Sequence, residues 1–159
     1  MILHSKQTDT KNSVHAINWE NIDWSANQKT LFKMQKRIYK LSLIVNDDNA
    51  VQWKRTKASH NMHYYQALIL KSLPARQLAV RKITTDNSGK KTPGVDKNVY
   101  LNPEEKMSIL RYLKMDGRAA PIRRVMIPKP GKKEKRPLGI PIVIDRAKPA
   151  LVVFALEPE

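Results

Sequence analysis

The sequence contains no cysteine, and this absence excludes disulfide bonds and thiolate zinc sites. Carboxylates are scarce as well, since 14 acidic residues stand against 30 lysines and arginines and leave a net charge of +16. Such a balance, spread along the chain, indicates a nucleic-acid partner or, less often, an anionic membrane. The longest apolar run is too short to span a bilayer, and the first residues lack the apolar core of a secretory signal.

Patterns that carry catalysis or bind metal ions are also missing from the sequence. No Ser/His/Asp or Cys/His set can be assembled, and no acidic pair lies in the strand–turn context that two-metal phosphoryl transfer needs. The glycines near Lys90 and Lys91 lack the spacing of a nucleotide-triphosphatase loop. His60 and His63 have no neighbouring carboxylate, so we do not expect them to bind a metal ion. The residues alone therefore predict nucleic-acid contacts and no catalytic centre.

The sequence predicts a first helix with one apolar face and one basic face, and Ser25 is its predicted N-cap. Its apolar residues recur at three- and four-residue steps, namely Leu31, Met34, Ile38, Leu41 and Val45. Lysines repeat those steps about 140° around the helix, namely Lys29, Lys33, Lys36 and Lys40. One interpretation is a face that contacts phosphates, and the other is an ordinary solvated lysine face. The scarcity of acids favours the first.

Further helices follow along the chain. We predict helical segments over residues 50–60 and 62–70, and another that begins near Pro74 with Ser72 or Leu73 as its cap. Residues 85–98 form a predicted loop. A capping-box pattern at Asn102 predicts a helix that ends near residues 116–117. Asp145 is the predicted cap of the last helix.

Residues 123–146 predict a β-hairpin, because two alternating apolar runs flank a basic turn and four prolines indicate a sheet edge. A turn that is symmetric about its centre would place Ile127 opposite Leu138 and Lys129 opposite Arg136, with Val125 opposite residue 140. Like charges directly opposite each other are destabilising, so this pair favours a bridging phosphate. A charged edge that blocks strand pairing is the alternative, and the residues leave both open.

Several ordered motifs resemble one known family. QALILKSLPARQLAVR (66–81) and KKTPGVD (90–96) are similar to the N-terminal region of group II intron reverse transcriptase/maturases. RRVMIPKP (123–130), RPLGIP (136–141), DRA (145–147) and ALEPE (155–159) resemble the start of their polymerase fingers, and Trp19 and Trp24 fit as well. The resemblance covers about residues 17–159. Pro149 departs from the family pattern, and we expect it to disturb the last helix locally.

The resemblance implies an α+β fold, with a mostly helical N-terminal region followed by a β-hairpin and a helix of a partial fingers subdomain. Residues 1–16 would be a flexible N-terminus, residues 17–98 the helical N-terminal domain, and residues 99–159 the start of the fingers. Lys129 and Arg136 would contact the incoming nucleoside triphosphate. The implied RNA-binding residues are Lys29, Lys33, Lys36, Lys40, Arg76, Arg81, Lys90, Lys91, Arg123, Arg124, Lys132 and Lys133.

The same resemblance implies what such a chain does with its partners. It would bind structured intron RNA and template-primer, and support splicing and reverse transcription beside a downstream palm and thumb polypeptide. The palm aspartates of the family have no counterpart here, so we expect a truncated chain or a fragment that has no catalysis alone and needs no cofactor, magnesium being expected only with the palm. A stand-alone RNA-binding splicing factor and a non-functional remnant are the alternatives. We expect a bacterial cytoplasm or an organelle, and no membrane partner.

Overall fold

The computed structural model describes residues 18–131 and 133–157, so residues 1–17, Lys132 and residues 158–159 lie outside the described part. The prediction for residues 1–16 falls there. Within the described residues there are five α-helices and one two-stranded antiparallel sheet. They run in the order α1 (Trp24–Val45), α2 (Gln52–Lys71), α3 (Leu73–Arg81), α4 (Pro103–Tyr112), β1 (Arg123–Pro128), β2 (Lys135–Ile140) and α5 (Val143–Leu156). The predicted α+β class is confirmed.

Helix α1 begins two residues earlier than predicted. The Asp23 carboxylate, rather than Ser25, is the cap, since its Oδ1 accepts a hydrogen bond from the backbone N–H of Ala26 at 2.9 Å. The helix buries Leu31, Met34 and Ile38 on one face, as the apolar spacing predicted, while the predicted Leu41 and Val45 are half-buried. Ser42, which was not predicted, is buried as well. Its last turn closes at Asn46, whose backbone N–H donates to the carbonyl of Ser42.

Helix α2 is one continuous helix where two segments were predicted. No glycine or proline lies between Gln52 and Lys71, so nothing in the sequence interrupts the backbone ladder. Ser72 ends α2 and caps α3, accepting from the N–H of Ala75 at 3.4 Å, and Pro74 sits in the first turn of α3. A short π-helical turn, Lys82–Asp86, continues α3.

A single apolar core joins helices from both sides of the predicted boundary at residues 98–99. Its most deeply buried side chains come from all five described helices and are Ile38, Ile69, Val80, Ile109 and Leu151. Helix α5 packs against α1, α2 and α3, so the last element in the chain closes the helical layer formed by the first three. Burial of such side chains contributes about 1.5–3 kcal/mol each.

Helix α4 confirms the predicted capping box. Oε2 of Glu105 accepts from the backbone N–H of Asn102 at 3.1 Å. The helix ends at Tyr112, earlier than the predicted end at residues 116–117. Gly117 instead takes a left-handed conformation, with φ of 70°, in the segment that leads to the hairpin.

The hairpin has the predicted strands, but the predicted register is wrong by two residues. Val125 lies opposite Leu138, and Ile127 lies opposite Arg136. Pairing continues past the strand ends to Lys129, whose backbone N–H donates to the carbonyl of Glu134 at 3.1 Å. Gly131 has a left-handed conformation, with φ of 70°, and the chain reverses in a shorter loop than the predicted register requires. Lys129 and Arg136 are therefore diagonal neighbours on one face rather than direct partners.

Helix α5 shows a second correction. It begins at Val143 after Ile142, and no side chain caps it, so the predicted capping role of Asp145 is wrong. The Asp145 carboxylate instead accepts from the backbone N–H of Ala120 at 2.7 Å. Pro149 lies inside the helix on its exposed side, and the helix continues past it to Leu156. No helix among the described residues is long and apolar enough to cross a membrane.

Candidate nucleic-acid interface

Helix α1 presents a lysine face to solvent. Lys29, Lys33, Lys36 and Lys40 are all exposed, and none of them has a carboxylate partner among the described residues. The lysines and the buried residues each recur with the helical period, and the lysines lie on the side of the helix away from Ile38. This face can therefore meet an anion without losing any ion pair of the fold.

The charge around this face is uncompensated at a larger scale. Residues 24–82 contain twelve lysines and arginines and only two acidic residues, Asp47 and Asp48. Both acidic residues lie in the turn between α1 and α2. Helices α1, α2 and α3 themselves contain no aspartate or glutamate. Long-range attraction for a polyanion follows from such a surplus, and so does a strong dependence on salt.

Arg76 and Arg81, predicted as RNA contacts, point their guanidinium groups into the fold. Nη2 of Arg76 donates to the carbonyl of Leu110 and, at 2.9 Å, to that of Leu113, so it satisfies the last carbonyls of α4. Arg81 stacks 4.8 Å above the ring of Trp24, which in turn meets Trp19 edge-on at 4.9 Å. These contacts give both arginines a structural role, and their contact with RNA stays a prediction.

The loop that carries Lys90 and Lys91 is fixed by Arg146 of α5. The Arg146 guanidinium donates to three carbonyls, those of Pro141 at 3.0 Å, Gly89 at 3.1 Å and Thr92 at 2.5 Å. Burial lowers the pKa of Arg146 from its ordinary value, and the charge of Asp96 opposes that shift. Because an arginine keeps its charge under such a shift, the clamp persists at physiological pH.

Two further contacts hold the same loop against the hairpin. Gly94 packs on the backbone of Ile142 so closely that a Cβ would lie 2.7 Å from its Cα. Nη1 of Arg123, the first residue of β1, donates to the carbonyl of Pro93 at 3.4 Å. Lys91 is exposed beside these contacts, while Nζ of Lys90 donates to the carbonyl of Thr85 at 2.7 Å. The fold therefore brings the loop lysines next to the base of the hairpin.

Asp145 and Lys148 hold the other side of the hairpin base. The two side chains are 3.0 Å apart and mostly buried, and Nζ of Lys148 also donates to the carbonyl of Arg118 at 2.5 Å. The hydrogen bond that Lys148 donates to the Asp145 carboxylate raises the pKa of Lys148, which keeps this lysine charged. The backbone N–H of Arg118 lowers the pKa of Asp116, whose Oδ1 lies 3.4 Å from Nζ of Lys148. Residues 116–120 are thus tied to α5.

On the hairpin itself, Lys129 has a carboxylate partner. Its Nζ donates to Oε2 of Glu134 at 2.8 Å, and both side chains are solvent-accessible. Arg136, Arg124 and Lys133 are exposed along the same ribbon. The predicted RNA contact Lys132 lies outside the described residues. The hairpin is therefore a cationic ribbon, and its described residues include one internal ion pair near the tip.

Sequence reasoning missed a set of residues on α2. Trp53 is 62% exposed, Nζ of Lys54 lies 5.7 Å from the centre of its ring, and Lys57 and Tyr64 are exposed nearby along the helix. The signal was present, because this stretch combines aromatic and basic residues and contains no acid. It was overlooked because its apolar residues have no single-sided pattern.

Comparisons with known proteins place the chain in a family. The family described as the N-terminal domain of reverse transcriptase matches residues 19–113, from the turn before α1 to the end of α4. Maturase-like protein 1 of Euglena gracilis is 29% identical over 150 residues, which cover 88% of this chain and 28% of that protein. Maturase-like protein 1 of Euglena longa is 27% identical over 142 residues, again 28% of its length. The chain thus spans about 28% of the length of these curated relatives.

Proposed function

Because the chain belongs to the family of reverse-transcriptase N-terminal domains, as the N-terminal region of a group II intron reverse transcriptase/maturase, we propose that it binds intron RNA. One observation carries this proposal. Helix α1 exposes four lysines without carboxylate partners among the described residues, in a segment with twelve basic and two acidic residues. Contacts between such lysines and phosphates position an RNA and are insensitive to its sequence.

Within a longer maturase, we propose that this region supports splicing and reverse transcription by holding the intron RNA and the template-primer. The loop with Lys90 and Lys91 and the strand that begins at Arg123 form the second contact area. Arg146 of α5 holds the loop through the carbonyls of Gly89 and Thr92, and Arg123 donates to the Pro93 carbonyl of the same loop. The lysine face of α1 and this second area would engage the RNA backbone at different points. A stand-alone RNA-binding splicing factor would use the same surfaces.

The affinity of the chain for a structured RNA tests the proposal. The double variant K36Q/K40Q removes two charges from the lysine face of α1, and we expect it to bind more weakly. The charge-matched control R111Q/K114Q removes two exposed basic side chains outside both contact areas, and we expect it to bind like the original chain. Equal losses in the two variants would mean that net charge alone, rather than this face, drives binding.

For the hairpin, we propose that Lys129 and Arg136 contact the triphosphate of an incoming nucleotide in the longer protein. Their positions on one face of the hairpin, diagonal to each other, leave room for a phosphate near both. The anion would have to replace the Glu134 carboxylate, which holds Lys129 at 2.8 Å.

This role makes a kinetic prediction for the longer protein supplied with nucleotide and magnesium. Alanine at Lys129 or Arg136 should raise the nucleotide KM. Glu134→Gln should lower it, because the lysine no longer has a competing carboxylate. If the alanine variants change RNA affinity alone, the triphosphate role is wrong.

The sequence left two compartments open, a bacterial cytoplasm and an organelle, and we propose the organelle. Both relatives come from Euglena, a eukaryotic genus, which supports this choice over a bacterial cytoplasm. Cell fractionation with an antibody against the chain tests it, and recovery outside the organelle fractions would contradict it.

A further inference from the structure

The outward face of α2 carries large aromatic side chains that the core does not use. Trp53 is 62% exposed and Tyr64 is 60% exposed. The opposite face of the same helix buries Ala58, Met62 and Ile69, so neither ring belongs to the buried face. The Tyr64 ring meets the Tyr65 ring edge-on, with their centres 5.4 Å apart. Trp and Tyr are the side chains most enriched at interfaces, so this face is a candidate binding surface.

Lysine side chains lie beside these rings on the same helix. Trp53, Lys57, His60 and Tyr64 follow one another at steps of four, three and four residues, which places them on one face of the helix. Nζ of Lys54 lies 5.7 Å from the Trp53 ring centre. Since α2 contains no aspartate or glutamate, this face has no negative charge of its own.

The chemistry of this face selects its occupant. Uncompensated lysines attract an anion, while flat exposed rings favour a flat partner, and an unpaired nucleotide offers both a phosphate and a free base. A base-paired duplex keeps its bases inside the stack and offers phosphates alone. Trp53 and Tyr64 are eleven residues apart, about 16 Å along the helix axis, so each ring would take a different base.

We propose that the outward face of α2 is a stacking platform for unpaired nucleotides of the bound RNA. Trp53 and Tyr64 stack on bases, and Lys54 and Lys57 contact the neighbouring phosphates. This inference rests on the RNA binding proposed above and adds a preference for single-stranded segments, which the lysine face of α1 does not supply.

Tryptophan fluorescence gives a direct test. Of the three tryptophans in the chain, Trp19 is buried at 7% exposure and Trp24 lies under the Arg81 guanidinium, so Trp53 is the one open to a base. We expect a single-stranded oligoribonucleotide to quench the emission of the full chain more strongly than a duplex of equal length. The Trp53→Phe variant should lose that quenching while it keeps most of the affinity, because phenylalanine retains a ring.

The affinity of a second variant measures how much base stacking contributes to binding. Trp53→Leu keeps an apolar side chain without a ring, and we expect it to bind single-stranded RNA about tenfold more weakly, within the range for one base–aromatic stack. Its affinity for duplex RNA should stay within about twofold, since duplex binding depends on phosphate contacts. Tyr112→Leu is the matched control, because Tyr112 is an exposed aromatic residue on α4, and both of its affinities should be unchanged.

Three results would overturn the inference. A Trp53→Leu variant with unchanged single-strand affinity, or with equal losses for both RNA forms, overturns the stacking role and leaves the proposed function intact. Trp53 emission that is already blue-shifted and insensitive to RNA in the longer maturase would mean that a protein segment covers this face. If the original chain binds neither RNA form, the proposed function fails together with this inference.

Discussion

Gly94 is the position at which the seating of the basic loop on α5 can be tested most sharply. An added Cβ would lie 2.7 Å from Cα of Ile142 and 2.9 Å from its N and its Cγ2. Two of these three atoms are backbone and cannot move without shifting the start of α5. Gly94 does not have a positive φ, so the cost of Gly94→Ala arises from space rather than from the backbone dihedral.

The expected size of this effect follows from the contact distances. Overpacking against atoms that cannot yield costs about 2–3 kcal/mol, the upper part of the usual range. For a chain of this length, that corresponds to a fall in Tm of about 4–12 °C. Differential scanning calorimetry of the original chain and the variant measures it.

Gly89→Ala is the control on the same loop. Its Cβ would meet no atom closer than 3.6 Å, which is an ordinary van der Waals distance. We expect its Tm to stay the same or to rise slightly, because alanine restricts the unfolded chain. If the two variants have the same Tm, the loop is not seated on α5 and the second contact area does not exist as described.

Three more measurements probe the same framework. Arg146→Met removes three hydrogen bonds from a half-buried cation, and urea unfolding should show a loss of about 2–4 kcal/mol, whereas a loss below about 1 kcal/mol would contradict the clamp. Because the pKa of Lys148 is raised above its ordinary 10.5, its contribution to stability is complete below that pH and is lost as pH rises through the higher folded value. Lys148→Met should therefore flatten the decline of Tm in alkaline buffer, and parallel curves would refute this. Since one core joins α1 to α5, the isolated chain should unfold in a single cooperative transition, while a gradual loss of signal would favour the non-functional remnant.

The features that depend on local sequence were predictable. The buried face of α1 followed from the helical spacing of Leu31, Met34 and Ile38, and the capping box of α4 followed from two residues three positions apart. The hairpin strands followed from alternation and from the turn-forming residues between them. In each case the interactions that decide the structure lie within one turn or one strand.

The hairpin register was not predictable from the same pattern. A shift of two residues leaves every side chain on its original face, so hydrophobic alternation cannot distinguish the observed pairing from the symmetric one. The observed register depends on where the chain turns, and the left-handed conformation of Gly131 sets that point. The expectation that Lys129 faces Arg136 failed for this reason.

Long-range partners explain the other differences. Asp145 has the sequence context of a helix cap, but its carboxylate accepts a hydrogen bond from the backbone N–H of Ala120, which is 25 positions away. Nothing in the sequence around Arg76 distinguishes it from a surface arginine. The carbonyl groups that it contacts lie at the end of a helix more than thirty positions later. The exposure of Trp53 likewise depends on which face of α2 the rest of the core covers.

The salt dependence of RNA binding tests the central claim most directly. The measurement is the slope of log K against log salt concentration for a structured RNA, with the original chain and with K33Q/K36Q/K40Q. Each phosphate contact contributes about 0.7–0.9 to that slope, so loss of three lysine contacts should weaken binding and flatten the slope by about two units or more. An unchanged slope would show that the lysine face of α1 does not touch the RNA backbone.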